Sequence, residues 1–121
     1  MAQKNLIHIF CIFMALGAFS PLTVHADEDN PVITIKNHHF YPEELKVPAG
    51  EKMKIIVRNQ DASPEEFESY DLKREKVISS HSEIILFVGP LKPGVYKYFG
   101  EFNQSTAKGV IIARAPAKQD P

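Results

Sequence analysis

After residue 31 the chain is a succession of short strand-like runs, each stopped by proline, glycine or a polar turn, and no long amphipathic helix separates them. Val32-Ile33-Thr34-Ile35-Lys36 is the first such run. Pro42 breaks the segment behind it, and Pro48-Ala49-Gly50 turns the chain into a second run over 52–59. A third, strongly apolar run spans 83–88 and ends at Gly89-Pro90. From Gly94 a strand with alternating Tyr96, Lys97, Tyr98 and Phe99 passes through a polar loop into Val110-Ile111-Ile112. Runs this short are stable only when they share one core, which predicts an all-β, single-domain sandwich or barrel. In a sandwich, alternation assigns Ile33, Ile35, Ile55, Val57, Ile85, Phe87, Val110 and Ile112 to that core.

The first residues read differently. Lys4 supplies a positive start, Leu6 to Leu16 is almost wholly apolar, and Val24-His25-Ala26 ends small before Asp27-Glu28-Asp29. This is the pattern of a secretory signal peptide over 1–26, cleaved after Ala26, and its apolar centre is too short to serve comfortably as a membrane span. The expected organisation is then a leader over 27–31, one domain over 32–113 and a flexible tail over 114–121. The product is exported and has no membrane span after cleavage. Cleavage removes Cys11, the single cysteine, so the mature chain has no disulfide and no thiolate ligand. Losing Lys4 moves the formal net charge from −1 to about −2, which excludes a general nucleic-acid footprint.

Candidate chemistry gathers at a few positions. Glu65, Glu66 and Glu68 crowd into the segment 60–69, which Pro64 and the charges mark as a loop rather than a buried strand. Were that segment extended, Glu66 and Glu68 would share one face while Glu65 pointed away with Phe67. Glu101 stands between Phe99 and Phe102 in a nearly uncharged loop; it reads as a ligand or as a surface partner for Arg74 or Lys76. His38 and His39 offer imidazole, and only one of two adjacent strand residues would face a given site. His81 belongs to a turn. Residues 70–78 read either as a helical turn with an exposed charged run or as an edge strand. No serine has a triad signature, and no glycine loop is built to cradle phosphate.

The order Phe40-Tyr41-Pro42, Leu45-x-Val47-Pro48-Ala49-Gly50 and Val57-x-Asn59, closed by Gly94-x-Tyr96-x-Tyr98 and Gly109-Val110-Ile111, resembles a cupredoxin over nearly the whole expected mature chain. Pro64-Glu65-Glu66-Phe67-Glu68-Ser69, Leu72-x-Arg74-Glu75-Lys76, Gly89-Pro90-Leu91 and Gly100-Glu101-Phe102 resemble the small periplasmic cupredoxin-like proteins of ferrous-iron uptake, EfeO-type and FtrB-like. That resemblance implies a Greek-key sandwich in the periplasm, binding an iron and/or copper ion and assisting ferrous oxidation or handover. Its implied partners are a periplasmic iron-binding protein and a membrane iron permease. By the same resemblance the two His, the Cys and the Met of a blue-copper site would fall near Glu65, Asn103, Gly100 and Ala107. None of those four ligands is present, which excludes blue-copper electron transfer. The ligands expected in their place are Glu65, Glu66, Glu68 and Glu101 with His38 or His39, a set suited to a hard ion. Three functional classes follow: a metal-binding component, with ferroxidase activity as its enzymatic form; a partner-docking module without a working metal site; and a structural cupredoxin-like domain that has lost its metal.

Overall fold

Asn37 and His38 take left-handed backbone conformations (φ 50° and 60°), the pair that a tight two-residue hairpin demands. They join Val32–Lys36 (β1) to His39–Tyr41 (β2), and the Asp61 carboxylate accepts both turn amides, from Asn37 N at 2.7 Å and His38 N at 3.0 Å. This computed structural model describes residues 30–116 and the isolated Gly17. The expected signal peptide, apart from Gly17, and residues 27–29 and 117–121 of the expected leader and tail lie outside the described residues.

The remaining strands are Glu44–Pro48 (β3), Met53–Asn59 (β4), Glu65–Ser69 (β5), Arg74–Ile78 (β6), Glu83–Val88 (β7), Gly94–Gly100 (β8) and Lys108–Arg114 (β9). They form two sheets, ordered β2-β1-β4-β7 and β3-β9-β8-β5-β6. The chain changes sheet repeatedly, so β1 lies parallel to β4 and β3 parallel to β9 while all other pairs are antiparallel. Ile33, Ile35, Ile55, Val57 and Leu86 from the first sheet meet Val47, Phe67, Ile78, Tyr98 and Ile111 from the second. At the centre, the Tyr98 ring stacks on Phe67 (centroids 5.0 Å apart) and meets Phe40 edge-on at 5.2 Å. The architecture is the expected all-β sandwich.

Two local readings are corrected and one open alternative is decided. Residues 65–69 form a strand inside the five-stranded sheet, not a loop, because alternation turns Glu66 and Glu68 outward while Glu65, Phe67 and Ser69 face in. Pro64 sits just before the strand, where its missing N–H interrupts no ladder. In β7 and β9 the inward residues are Leu86, Val88, Ile111 and Ala113, whereas Ile85 and Phe87 are exposed and Val110 and Ile112 are only partly covered. A continuous apolar run carries no alternation of its own, so its register is set by its partners. For residues 70–78 the edge-strand alternative holds: Lys73 (φ 54°) closes a turn and Arg74 begins β6.

Candidate metal centre

Beyond β8 the chain makes one 3-10 turn, Glu101–Asn103, and closes on itself: Gly100 N donates to Ala107 O and Ala107 N to Asn103 O, each at 2.8 Å. This loop caps one pole of the sandwich next to the start of β5. Glu65, only 1% exposed, points into it. Its Oε1 accepts the amides of Phe102 (2.9 Å) and Glu66 (3.0 Å), and its Oε2 accepts Asn103 Nδ2 at 2.6 Å. Both carboxyl oxygens are therefore engaged, by three donors in all. Space is equally committed: a Cβ on Gly100 would lie 2.6 Å from Glu65 Cδ and 2.7 Å from Ala107 Cβ. The positions to which the resemblance assigns the His, Cys, His and Met of a blue-copper site are thus joined into a carboxyl–amide plug. Residues so arranged do not fit copper, since neither thiolate nor imidazole is present and the one carboxyl is already satisfied.

The other carboxylates converge elsewhere. β5 pairs with β6 so that Glu68 lies opposite Glu75, and Glu66 is its neighbour on the same outward face. Ligand oxygens of Glu66, Glu68 and Glu75 fall within 4.8 Å of one another, a grouping of three possible metal-binding side chains among the described residues. Three anions this close resist losing all their protons. The hydrogen bond to Glu75, then partial burial and the charges of Glu75, Glu68 and Glu101, push Glu66 from its ordinary 4.5 up to about 7. Glu68 is raised mainly by burial, then by Glu75 and Glu101, against the opposing effect of its hydrogen bond to Glu66. Glu101, exposed on the pole turn, contributes its charge to this patch.

Raising a carboxyl makes the folded state the better proton binder. The contribution of Glu66 to stability is present at pH 4.5 and below and is lost as pH rises through about 7. Urea unfolding of the parent and of Glu66→Gln at pH 5 and pH 8 is expected to show a fall with pH that the variant partly removes. Identical pH profiles would mean that Glu66 carries no such proton.

The two histidines do not join the patch. His38 is exposed in the β1–β2 turn with Nδ1 3.7 Å from Asp61 Oδ2, and its carbonyl accepts Thr106 Oγ1, tying that turn to the pole loop. His39 lies outward on the four-stranded sheet, opposite Lys36 and 6.2 Å from the Tyr41 ring. Glu65 is inward, so it shares no ion with Glu66 and Glu68. Two residues that sequence reading passed over prove central. Glu75 was hidden in a charged run, and only the β5–β6 register places it against Glu68. Asn59, 1% exposed, donates to the carbonyls of Ser63, Ile78 and Ser79 and accepts from Asp61 N, fastening the loop that leads into β5; its place in Val57-x-Asn59 was the available signal.

Comparison with known proteins bears on the fold. A family model described as a cupredoxin-like domain matches residues 7–113. An uncharacterized protein of Rickettsia prowazekii (strain Madrid E) is 41% identical over 116 residues, covering 91% of this chain and 93% of its own. Among solved structures, amicyanin from Paracoccus versutus superposes with a TM-score of 0.58 at 17% identity, covering 72% of this chain and 83% of its own. Auracyanin A, a "blue" copper protein of Chloroflexus aurantiacus, gives 0.61 at 14% identity over 70% of this chain and 98% of its own. A purple cupredoxin from Nitrosopumilus maritimus gives 0.57 at 19% identity over 70% of this chain and 100% of its own.

Proposed function

The chain belongs to the cupredoxin-like domain family, and from that premise we propose that it is an exported metal-handling member whose ion binds on the sheet surface instead of at the copper pole. The observation that carries the proposal is the Glu66–Glu68–Glu75 triad, three carboxylates from two adjacent strands with their oxygens within 4.8 Å. Oxygen-only ligands suit ferrous, ferric or manganous ions better than cuprous copper. Strands hold the donors more firmly than a loop would, and Glu101 adds charge at the rim. The resemblance of the sequence motifs to ferrous-iron uptake proteins supports iron as the cargo, the periplasm as the compartment, and an iron-binding protein with a membrane permease as the recipients. Because the triad is partly open to solvent, an ion held there can be passed on directly, which favours handover.

Anaerobic titration of the purified protein with ferrous and manganous ions tests this reading. Binding is expected at one ion per chain. The paired change Glu68→Gln/Glu75→Gln is expected to weaken it by at least about tenfold, whereas Asn103→Ala is not. Affinity rises from pH 6 to pH 8, as the proton leaves Glu66 near 7. A folded protein that binds neither ion would overturn the proposal. It would bring forward the docking reading, which the exposed Ile85 and Phe87 beside Lys54 and Arg58 on the four-stranded sheet favour. Ferroxidase activity is tested alongside, by oxygen consumption with ferrous ion, and no acceleration above the buffer rate is expected.

A further inference from the structure

The outer face of the five-stranded sheet carries a groove of about 860 Å³ beside the triad, within the range of small-molecule sites. Lys97 and Phe99 of β8 and Lys108 of β9 line it. Tyr70, from the β5–β6 turn, stands beside Phe99 with the ring centroids 5.6 Å apart. Glu43 and Glu44 form the far rim. Register fixes the order across the strands: Glu75 opposite Glu68, Glu68 opposite Phe99, Phe99 opposite Lys108. Adjacent strands are roughly 4.8 Å apart, so the backbones at Glu68 and Lys108 stand about 10 Å from each other with Phe99 between, while Lys97 lies on the same strand as Phe99, one strand from Glu68. Lys97 lies diagonal to Lys108 across β8 and β9. Among the described residues, no carboxylate comes within 4.0 Å of either ammonium group.

This distribution selects among ligands. Two lysines side by side invite a multivalent anion. A bare anion, however, meets Glu43 and Glu44 on one side and Glu66, Glu68, Glu75 and Glu101 on the other, while Asp71 beside Lys97 is held by the Lys97 backbone amide at 2.8 Å. A ligand that brings a cation with its carboxylates satisfies both ends. Resting on the metal reading above, we propose that the groove binds a small polycarboxylate already carrying its metal ion. Lys97 and Lys108 hold free carboxylates, Tyr70 and Phe99 cover the carbon skeleton, and the triad faces the cation.

The probes are ferric citrate, citrate alone and, without oxygen, ferrous ion alone, added to the purified protein and followed by calorimetry and by the fluorescence of Tyr70. Radiolabelled citrate is expected to co-elute with the protein only when iron accompanies it, with ferric citrate binding at least tenfold more tightly than citrate. Lys97→Met/Lys108→Met is expected to lower that affinity about tenfold while leaving ferrous binding unchanged, and Tyr70→Ala to remove the fluorescence response. Iron taken up without retained citrate overturns the inference, as does equal binding of free citrate or indifference to the lysine changes. In those cases ferrous binding that depends on Glu68 and Glu75 leaves the metal reading standing. Failure of ferrous ion and ferric citrate alike removes both.

Discussion

Replacing Glu65 by alanine is expected to destabilise the fold by about 3–5 kcal/mol, because it leaves two backbone amides and the Asn103 side chain without their acceptor in a nearly dry pole. For a domain of this size that corresponds to a fall in melting temperature of more than about 10 °C. Glu65→Gln keeps one acceptor oxygen for the two amides on Oε1, and a turned Asn103 amide can accept from the new nitrogen. Its expected cost is smaller, about 1–2 kcal/mol. Thermal and urea unfolding of both variants check the ordering. A Glu65→Ala protein as stable as its parent would show that the plug does not hold the pole closed.

That result would also separate two kinds of acidic residue that look alike in the sequence. Glu65 and Glu66 are neighbours, yet one is a buried structural acceptor and the other an outward carboxyl grouped with Glu68 and Glu75. The alternation rule contains that division once 65–69 is extended, and the cue against a strand was the local density of charge. Charge density misleads here because the strand is central in hydrogen bonding but exposed on one face. The all-β class, the strands read at 32–36 and 52–59 and the core role of Ile33, Ile35, Ile55 and Val57 were legible, since Thr34 and Lys36 in the first run and Lys54 and Arg58 in the second mark the outward phase. The registers of β7 and β9 were not. Every residue of Ile84-Ile85-Leu86-Phe87-Val88 is apolar, and the inward set depends on pairing with β4.

The candidate site follows the same logic at longer range. The departure from a blue-copper site rests on the resemblance, which puts Gly100, Asn103 and Ala107 where thiolate, imidazole and thioether would stand, and none of the three supplies that chemistry. What fills the space could not be read, since it depends on a hydrogen bond between residues 65 and 103. The triad is likewise a product of hairpin register: Glu75 reaches Glu68 only because the β5–β6 turn pairs those two positions.

Gly100→Ala is expected to cost about 2–3 kcal/mol alone and distinctly less in a Glu65→Ala background. The added Cβ would stand 2.6 Å from Glu65 Cδ and 2.8 Å from its Oε1, distances that force the carboxyl out of its three hydrogen bonds. With the carboxyl removed, two of the three nearest atoms are gone and Ala107 Cβ, at 2.7 Å, is the one of the three left to displace. The two changes should therefore couple favourably by at least about 1 kcal/mol in a double-mutant cycle measured by urea unfolding. Strict additivity would break the argument. Coupling would mean that a side chain at position 100 and a carboxyl at position 65 exclude one another. A thiolate ligand at 100 then requires the plug to be dismantled first, and it is this closed pole that turns the metal reading proposed above toward the Glu66, Glu68 and Glu75 carboxylates on the outer face of the sheet.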